Sequence, residues 1–441
     1  MFALDNLDSP GVPAHDQERA GSASTNLRIC IVVLLLFIVA AATSAMRKDI
    51  TQGFDEVAHA SYVADLQRSG EIWPAFAAMR MLDPSTFRFT SETNYLNHPS
   101  AYYLLLARLG PSLEGHPAAI LVHRLFNVAL AAIGLAALMA IGLVAGLPRA
   151  TFYAYIVPIA AIPVLVSVAG AVNNDNAAFA GGALATLAVF QLLTTASRAW
   201  LLAALGGVIV ASWAKFTGLL LSGGMVAGVL LWLLWHKRLP ARWIAPIAIA
   251  ALLASAPYVV LFAQYGSPTP MTPGELTMIE RDAHAVGWDS AARLPPASYA
   301  AHFVTEFVLE WMPTLKPRSA MNYAALAIPI AAALCALAGI SLAVRRIASG
   351  TASPLDILIS AGAAAFAATF VLHGIFSYNL HREFGWLTNA YPRYYLPLAA
   401  LFPLAGLSLL TAVKQPPVRA VLLAFLIAGP LAFMVLSQSL G

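Results

Sequence analysis

Residues 199–235 read AWLLAALGGVIVASWAKFTGLLLSGGMVAGVLLWLLW, with Lys215 as the only charge in the stretch. One straight helix of that length would run roughly 55 Å at about 1.5 Å per residue, against a hydrocarbon core of ~30 Å. The chain therefore folds back near Lys215, giving spans at 199–214 and 217–235. Outward from this pair, apolar runs recur upstream at 29–45, 118–146, 151–171 and 177–194, and downstream at 243–262, 321–344, 355–376, 393–412 and 418–438. A backbone in lipid must satisfy its own hydrogen bonds, so the runs are expected to be helices. The expected fold is an all-α polytopic membrane protein of about eleven transmembrane helices. Composition agrees: 60% of the residues are hydrophobic and 10% charged, against about 45–50% and ~25% in soluble domains.

With the N-terminus in the cytoplasm, the inward ends carry Arg28, Arg149, Arg198, Lys237, Arg238, Arg242, Arg345, Arg346, Lys414 and Arg419, with Asp356 the acid among the short inward loops. This bias follows the positive-inside rule and places 46–117 and 263–320 outside. The organisation reads as a cytoplasmic tail 1–28, a membrane region 29–262 carrying the outer loop 46–117, a second outer loop 263–320, and a C-terminal membrane region 321–441. The first run exceeds the apolar core of a signal peptide and lacks a basic flank, so it reads as an uncleaved anchor. The chain has no Asn-x-Ser/Thr acceptor, which favours a bacterial inner membrane over a glycosylating pathway. Cys30 and Cys335 both fall in apolar runs and suggest no disulfide. A net charge of +4 on scattered basic residues excludes a nucleic-acid partner recognised through a basic face.

The long outer loops are where chemistry is expected. In the first, Phe54, Ala58, Tyr62 and Leu66 keep helical spacing and Ser69-Gly70 ends the segment, while His98-Pro99 opens a second at 100–109. Both are expected as amphipathic helices along the membrane interface. Phe303, Phe307, Val308 and Trp311, before Pro313, give a similar stripe in the second loop. Within Gly53-Phe54-Asp55-Glu56-Val57-Ala58-His59, a helix puts Asp55, His59 and Tyr62 on one face with Glu56 about 100° round. The plain alternative is that Asp55 caps the helix and Glu56 favours its first turn.

The order of one span, an outer loop opening on Asp55-Glu56, and a tail of His59, Tyr62, Gly70 and Pro74 resembles the GT-C glycosyltransferases, in particular lipid A aminoarabinose transferases and protein O-mannosyltransferases. NHPSAYYLLL (97–106), HRLFNVAL (123–130), NNDNAAF (173–179), KFTGLLL (215–221) and YPRYYLPL (391–398) extend the resemblance. It implies transfer of a hexosyl or pentosyl unit from a polyprenyl-phosphate-linked sugar donor, at the outer face, to an acceptor that is lipid, glycan or protein. Asp55 is then the catalytic residue, a general base that takes the proton of the acceptor hydroxyl while the lipid phosphate leaves from the opposite face, inverting the anomeric centre. Glu56 and His59 join it in the catalytic group. A divalent metal is left open, because one Asp-Glu pair plus a histidine is no recognisable ligand spacing.

The leaving phosphate calls for cations. Lys215 and Arg393, at the outer ends of spans, are the expected contacts, with Tyr394 and Tyr395 beside Arg393; snorkelling and aromatic anchoring are the ordinary alternatives. Arg124, about two turns into the second span, either meets the phosphate or pairs with Asp175, pairing being preferred. Asn173, Asn174 and Asp175 form a polar break that turns the chain, and Tyr62, His98, Asn174 and Asp175 are candidates for acceptor binding or loop support. The competing readings are a transporter or flippase of lipid-linked sugars, which predicts charged or broken midspan sites in two related halves, a lipid-linked oligosaccharide ligase, and a structural membrane partner.

Overall fold

The computed structural model describes residues 14–285, 293–310, 326–387 and 390–439. The long helices are α1 (Ala14–Arg47), α4 (Ile120–Val144), α7 (Asp175–Thr195), α8 (Arg198–Ala214), α9 (Phe216–Trp235, with a π turn at Leu219–Gly223), α10 (Ile244–Tyr265), α13 (Ala327–Ala348), α14 (Pro354–Phe384) and α16 (Pro416–Ser439). Two spans are broken. α5 (Arg149–Ala160) and α6 (Pro163–Ala169) meet at 54°, and a short 3-10 helix, Pro392–Leu398, meets α15 (Leu401–Ala412) at 61°. Pro163 explains the first break, since a proline pushes the residue before it out of the helical region; Ile162 is extended, φ −65°, ψ 112°.

Every expected apolar run with described residues coincides with helix, and the chain is a multi-pass integral membrane protein. The count of eleven is not reproduced. Among the described residues eight helices are long and apolar enough to cross a membrane, or ten with each bent pair as one span, and α8 is a shorter apolar helix. α7 is the central helix, with 72% of its most apolar window buried, while α13 and α16 are peripheral at 17%. Leu36 on α1 and Leu252 on α10 are 65% and 71% exposed, as a lipid-facing surface requires.

The loop 46–117 departs from expectation in three ways. α3 (Ala101–Leu109) forms where the periodicity put it, and α2 (Glu56–Ser69) begins two residues later than the Phe54 start expected, because the left-handed Asp55 stands off the helix and does not share a face with His59 and Tyr62; Gly70, in the left-handed region, ends α2 by donating to the Leu66 carbonyl at 3.0 Å. Between them lies an antiparallel hairpin, β1 (Arg80–Leu82) and β2 (Phe89–Thr93), that the helical reading missed. Asp83 shapes its turn, accepting from the Ser85 and Thr86 amides at 3.0 and 2.8 Å. The helices also bury one face on protein. Tyr62, Val63, Leu66, Phe76, Leu82 and Tyr103 close a core shared with Ala177, Ala214, Tyr258 and Leu261 of α7, α8 and α10. The loop is thus a packed cap on the ends of the spans.

The segment 263–320, the expected second outer loop, contributes α11 (Pro273–Ala285) and α12 (Pro296–Leu309). Phe303 of α12 is buried against Phe370 of α14, and Phe307 packs on Phe370 and Tyr395, so this stripe too packs on protein; Trp311 and Pro313 lie outside the described residues.

Candidate functional site

Four charged side chains from distant parts of the chain meet at one end of the bundle, under the loop cap. Arg393, on the broken 3-10 helix, donates from Nη2 to Asp55 Oδ2 at 2.6 Å. Its Nε lies 3.4 Å from Asp175 Oδ2, and Asp175 Oδ1 accepts from Lys215 Nζ at 2.8 Å. The result is an alternating ladder, Asp55, Arg393, Asp175, Lys215, in which two acids balance two bases. Asp175 is buried at the start of α7, Lys215 at the junction of α8 and α9, and Arg393 is 5% exposed. Aromatic faces complete the walls: Lys215 Nζ sits 3.5 Å over the Tyr394 ring, and the Arg393 guanidinium 4.9 Å over Phe54 and 4.8 Å over Tyr391. Cation–π contact of this kind strengthens as water is removed.

Asp55 differs from its partners in being open. Its side chain is 41% exposed and its backbone left-handed at φ 59°, a conformation that Asp tolerates better than most residues. It precedes α2 but makes no side-chain cap bond there, which sets aside the capping alternative. The turn aims the carboxylate at Arg393 and at Tyr95, whose hydroxyl donates to Oδ1 at 3.1 Å. Desolvation pushes the Asp55 carboxyl up, but Arg393, Tyr95 and Lys215 together hold it below the ordinary carboxylate value.

Glu56, one residue on, is wholly buried and faces the other way. It receives a bidentate bond from Arg124, both arms at 2.7 Å, and the Val172 amide at 2.8 Å. Arg124 also donates from Nη1 to the Ala45 and Lys48 carbonyls, each at 2.8 Å. The expected Arg124–Asp175 pair is therefore replaced by Arg124–Glu56, and with these donors engaged Arg124 is not free to grip a phosphate. Gly53 permits this clamp, since a Cβ there would stand 2.6 Å from Glu56 Oε2.

His59 keeps its place on α2 but bonds Tyr103, Nδ1 to hydroxyl 2.8 Å, rather than Asp55. His98 stacks on His59, and Tyr62 on Tyr103, with ring centroids 6.1 and 4.0 Å apart. The Tyr62 hydroxyl donates to the His98 carbonyl at 3.1 Å. Burial, then the charges of Lys215 and Arg393, lower the His59 imidazole well below its usual value, so it stands neutral inside the cap. Asn173 Nδ2 holds the Phe54 carbonyl at 2.9 Å and its Oδ1 accepts the Asp175 amide at 2.7 Å; Asn174 Nδ2 ties the start of α7 to the Ala214 carbonyl at 2.8 Å. Tyr395 bonds His373 at 3.1 Å. Among the described residues no group of three His, Cys, Asp or Glu side chains is placed to hold a metal.

Sequence reading gave Phe54 only a place in a helical stripe, and it missed Tyr95 and Lys48. Tyr95 follows the unrecognised hairpin. Lys48, which lies 4.9 Å from the Phe54 ring, had a signal: with Arg47 it is a basic pair just outside the first span, on the side where the charge bias predicts none.

No family model matches the chain, and no curated protein matches it. It is similar to the crystal structure of ArnT from Cupriavidus metallidurans bound to undecaprenyl phosphate, at 16% identity and a TM-score of 0.45 over 89% of this chain. The chain spans 61% of that structure's length. The apo structure of the same protein is similar at 16% identity and a TM-score of 0.38, over 82% of this chain and 78% of that one.

Proposed function

We propose that the chain is an integral-membrane glycosyltransferase of the GT-C type, moving a hexosyl or pentosyl unit from a polyprenyl-phosphate donor to an acceptor hydroxyl at the outer face of a bacterial inner membrane. One observation carries the reading: Asp55 is a half-exposed carboxylate that caps nothing and is aimed by Arg393 and Tyr95 beside buried Lys215. Asp55 is also the residue to which the sequence resemblance assigns catalysis, as general base. Asp55 takes the proton of the acceptor hydroxyl, the oxygen bonds to the anomeric carbon, and the carbon–phosphate-oxygen bond breaks with its electron pair on the lipid phosphate. Attack and departure on opposite faces invert the centre.

Arg393 then has two tasks in sequence. Paired with Asp55 it keeps the carboxylate ionised but weakly basic; a donor phosphate that draws the guanidinium away restores the basicity that proton transfer needs. Glu56 and Arg124 serve as the clamp behind the loop, and His59, Tyr62 and His98 as the core of the cap. The broken helix at Arg393 is also a device that transporters use, but a transporter leaves the lipid-linked sugar intact, so product analysis separates the two. The test is transfer from a synthetic polyprenyl-phosphate sugar in proteoliposomes by Asp55→Asn. We expect a loss of about 10²–10⁴-fold in a protein that still inserts and folds; an unchanged rate would overturn the assignment.

A further inference from the structure

Charge accounting around the ladder leaves a deficit. Asp55, Asp175, Lys215 and Arg393 sum to zero, and Arg124 is matched by Glu56. A lipid phosphodiester arrives with one negative charge and leaves as a monoester with up to two, while Asp55 gains one proton. The site and phosphate together thus carry about one uncompensated negative charge throughout, in surroundings where unpaired charge is costly.

Lys48 is placed to supply the missing cation. It follows α1 directly, at the mouth of the site, and is half-buried. Among the described residues it makes no ion pair, and its ammonium donates only to the Ser167 carbonyl of α6, at 3.2 Å. It lies 4.9 Å from the centroid of the Phe54 ring, the ring that also bears Arg393 at 4.9 Å. The nearest acid in sequence, Asp49, is turned onto Thr51. The charged groups facing Lys48 are Glu56 of α2, Arg124 of α4 and Arg393 of the 3-10 helix. Desolvation is the largest influence on its ammonium, and with the two arginines it outweighs the pull of Glu56, bringing the value down to about 8.

Resting on the proposed transferase reading, we infer that Lys48 is a binding residue for the lipid phosphate, reaching it past Phe54 and balancing the one negative charge that the ladder leaves unmatched before and after the sugar departs. The shared chemistry is a phosphate mono- or diester. Polyprenyl phosphate is the intended source, with inorganic phosphate and a phospholipid headgroup as the others to be distinguished.

The experiment measures equilibrium binding of radiolabelled polyprenyl phosphate to the full chain in neutral-lipid nanodiscs, for wild type, Lys48→Ala, Lys48→Arg and Lys237→Ala. We expect Lys48→Ala to bind about ten- to hundred-fold more weakly, the size of one lost charged hydrogen bond. Lys48→Arg and Lys237→Ala should bind like the wild type at pH 7. Because the protonated ammonium is the binding form, wild-type affinity should fall as pH rises through about 8, and the arginine variant should not follow. Wild-type binding matched by Lys48→Ala would overturn the inference and leave the transferase reading standing. Absence of wild-type binding would overturn both. Equal competition by inorganic phosphate or phosphatidylglycerol would make Lys48 a general anion contact and refute the lipid assignment.

Discussion

Asp55 and Glu56 are adjacent acids whose surroundings differ in every respect that matters for a carboxylate. Asp55 is half-exposed and shares Arg393 with Asp175, whereas Glu56 has no exposed surface and is bonded by Arg124 and the Val172 amide. Neutralising one member of a buried pair leaves the other charge uncompensated, at a cost of about 3–5 kcal/mol. Glu56→Gln is therefore expected to lower the melting temperature of the detergent-solubilised protein sharply, and Asp55→Asn to lower it less, because the residue is half-exposed and Arg393 keeps Asp175 at 3.4 Å. Thermal unfolding followed by intrinsic fluorescence compares them directly; equal shifts would mean that Glu56 is not the structural member of the two. The Asp-Glu pair was legible in the sequence as a candidate site, but the contrast between its two surroundings was not. It depends on one residue's left-handed backbone, which no spacing rule shows.

The ladder is held together at the crossing of α7 and α8. Gly181 and Gly207 face each other there: a Cβ on Gly207 would stand 2.7 Å from both the Gly181 carbonyl and the Ala185 amide. Close backbone approach through small residues is how membrane helices gain contact without a hydrophobic driving force. The same pair of helices carries Asp175 at one start and Lys215 at the matching end, tied further by Asn174 to Ala214. Gly207→Val should push the helices apart, destabilising the protein by about 1–3 kcal/mol through overpacking and lowering transfer as the 2.8 Å Lys215–Asp175 bond is lost. Gly206→Val is the control, because nothing lies within 4 Å of a Cβ there. Indistinguishable melting and activity for the two variants would contradict the role assigned to this crossing. Helical periodicity revealed α2, α3 and the spans themselves, since each is written within one segment. The β1–β2 hairpin escaped because its strands are short and lack clean alternation, and its turn was visible only as Asp83-Pro84-Ser85-Thr86.

At the scale of the molecule, polar chemistry gathers at one end of the bundle and basic residues at the other. The cap, the ladder and the Glu56–Arg124 clamp share the first end; Arg149 and Arg198 open helices at the second, where Arg346 pairs with Asp356 at 3.0 Å. On the positive-inside rule we propose that the second end is the cytoplasmic one. In a chain with Cys30 and Cys335 replaced, single cysteines at Glu114 and Ser298 should react with a membrane-impermeant maleimide on intact cells, and one at Lys237 only after permeabilisation. All three positions are exposed, so access from the aqueous side is the variable measured. Labelling of the Lys237 position on intact cells would invert the topology and the face on which donor and acceptor are proposed to meet.

Sequence alone determined the solvent of the fold, the place of nearly every span, the helices of the first loop and the shared end of the bundle at which Asp55, Lys215 and Arg393 lie. Those features depend on length, periodicity and charge bias, all properties of a contiguous segment. Tertiary structure alone decided the partners: Arg393 with Asp55, Lys215 with Asp175, Arg124 with Glu56 rather than Asp175. Hydropathy says how deep a charge lies but not which helix stands beside it. In a low-dielectric interior that neighbour decides whether the charge is spent on stability or left over for a substrate.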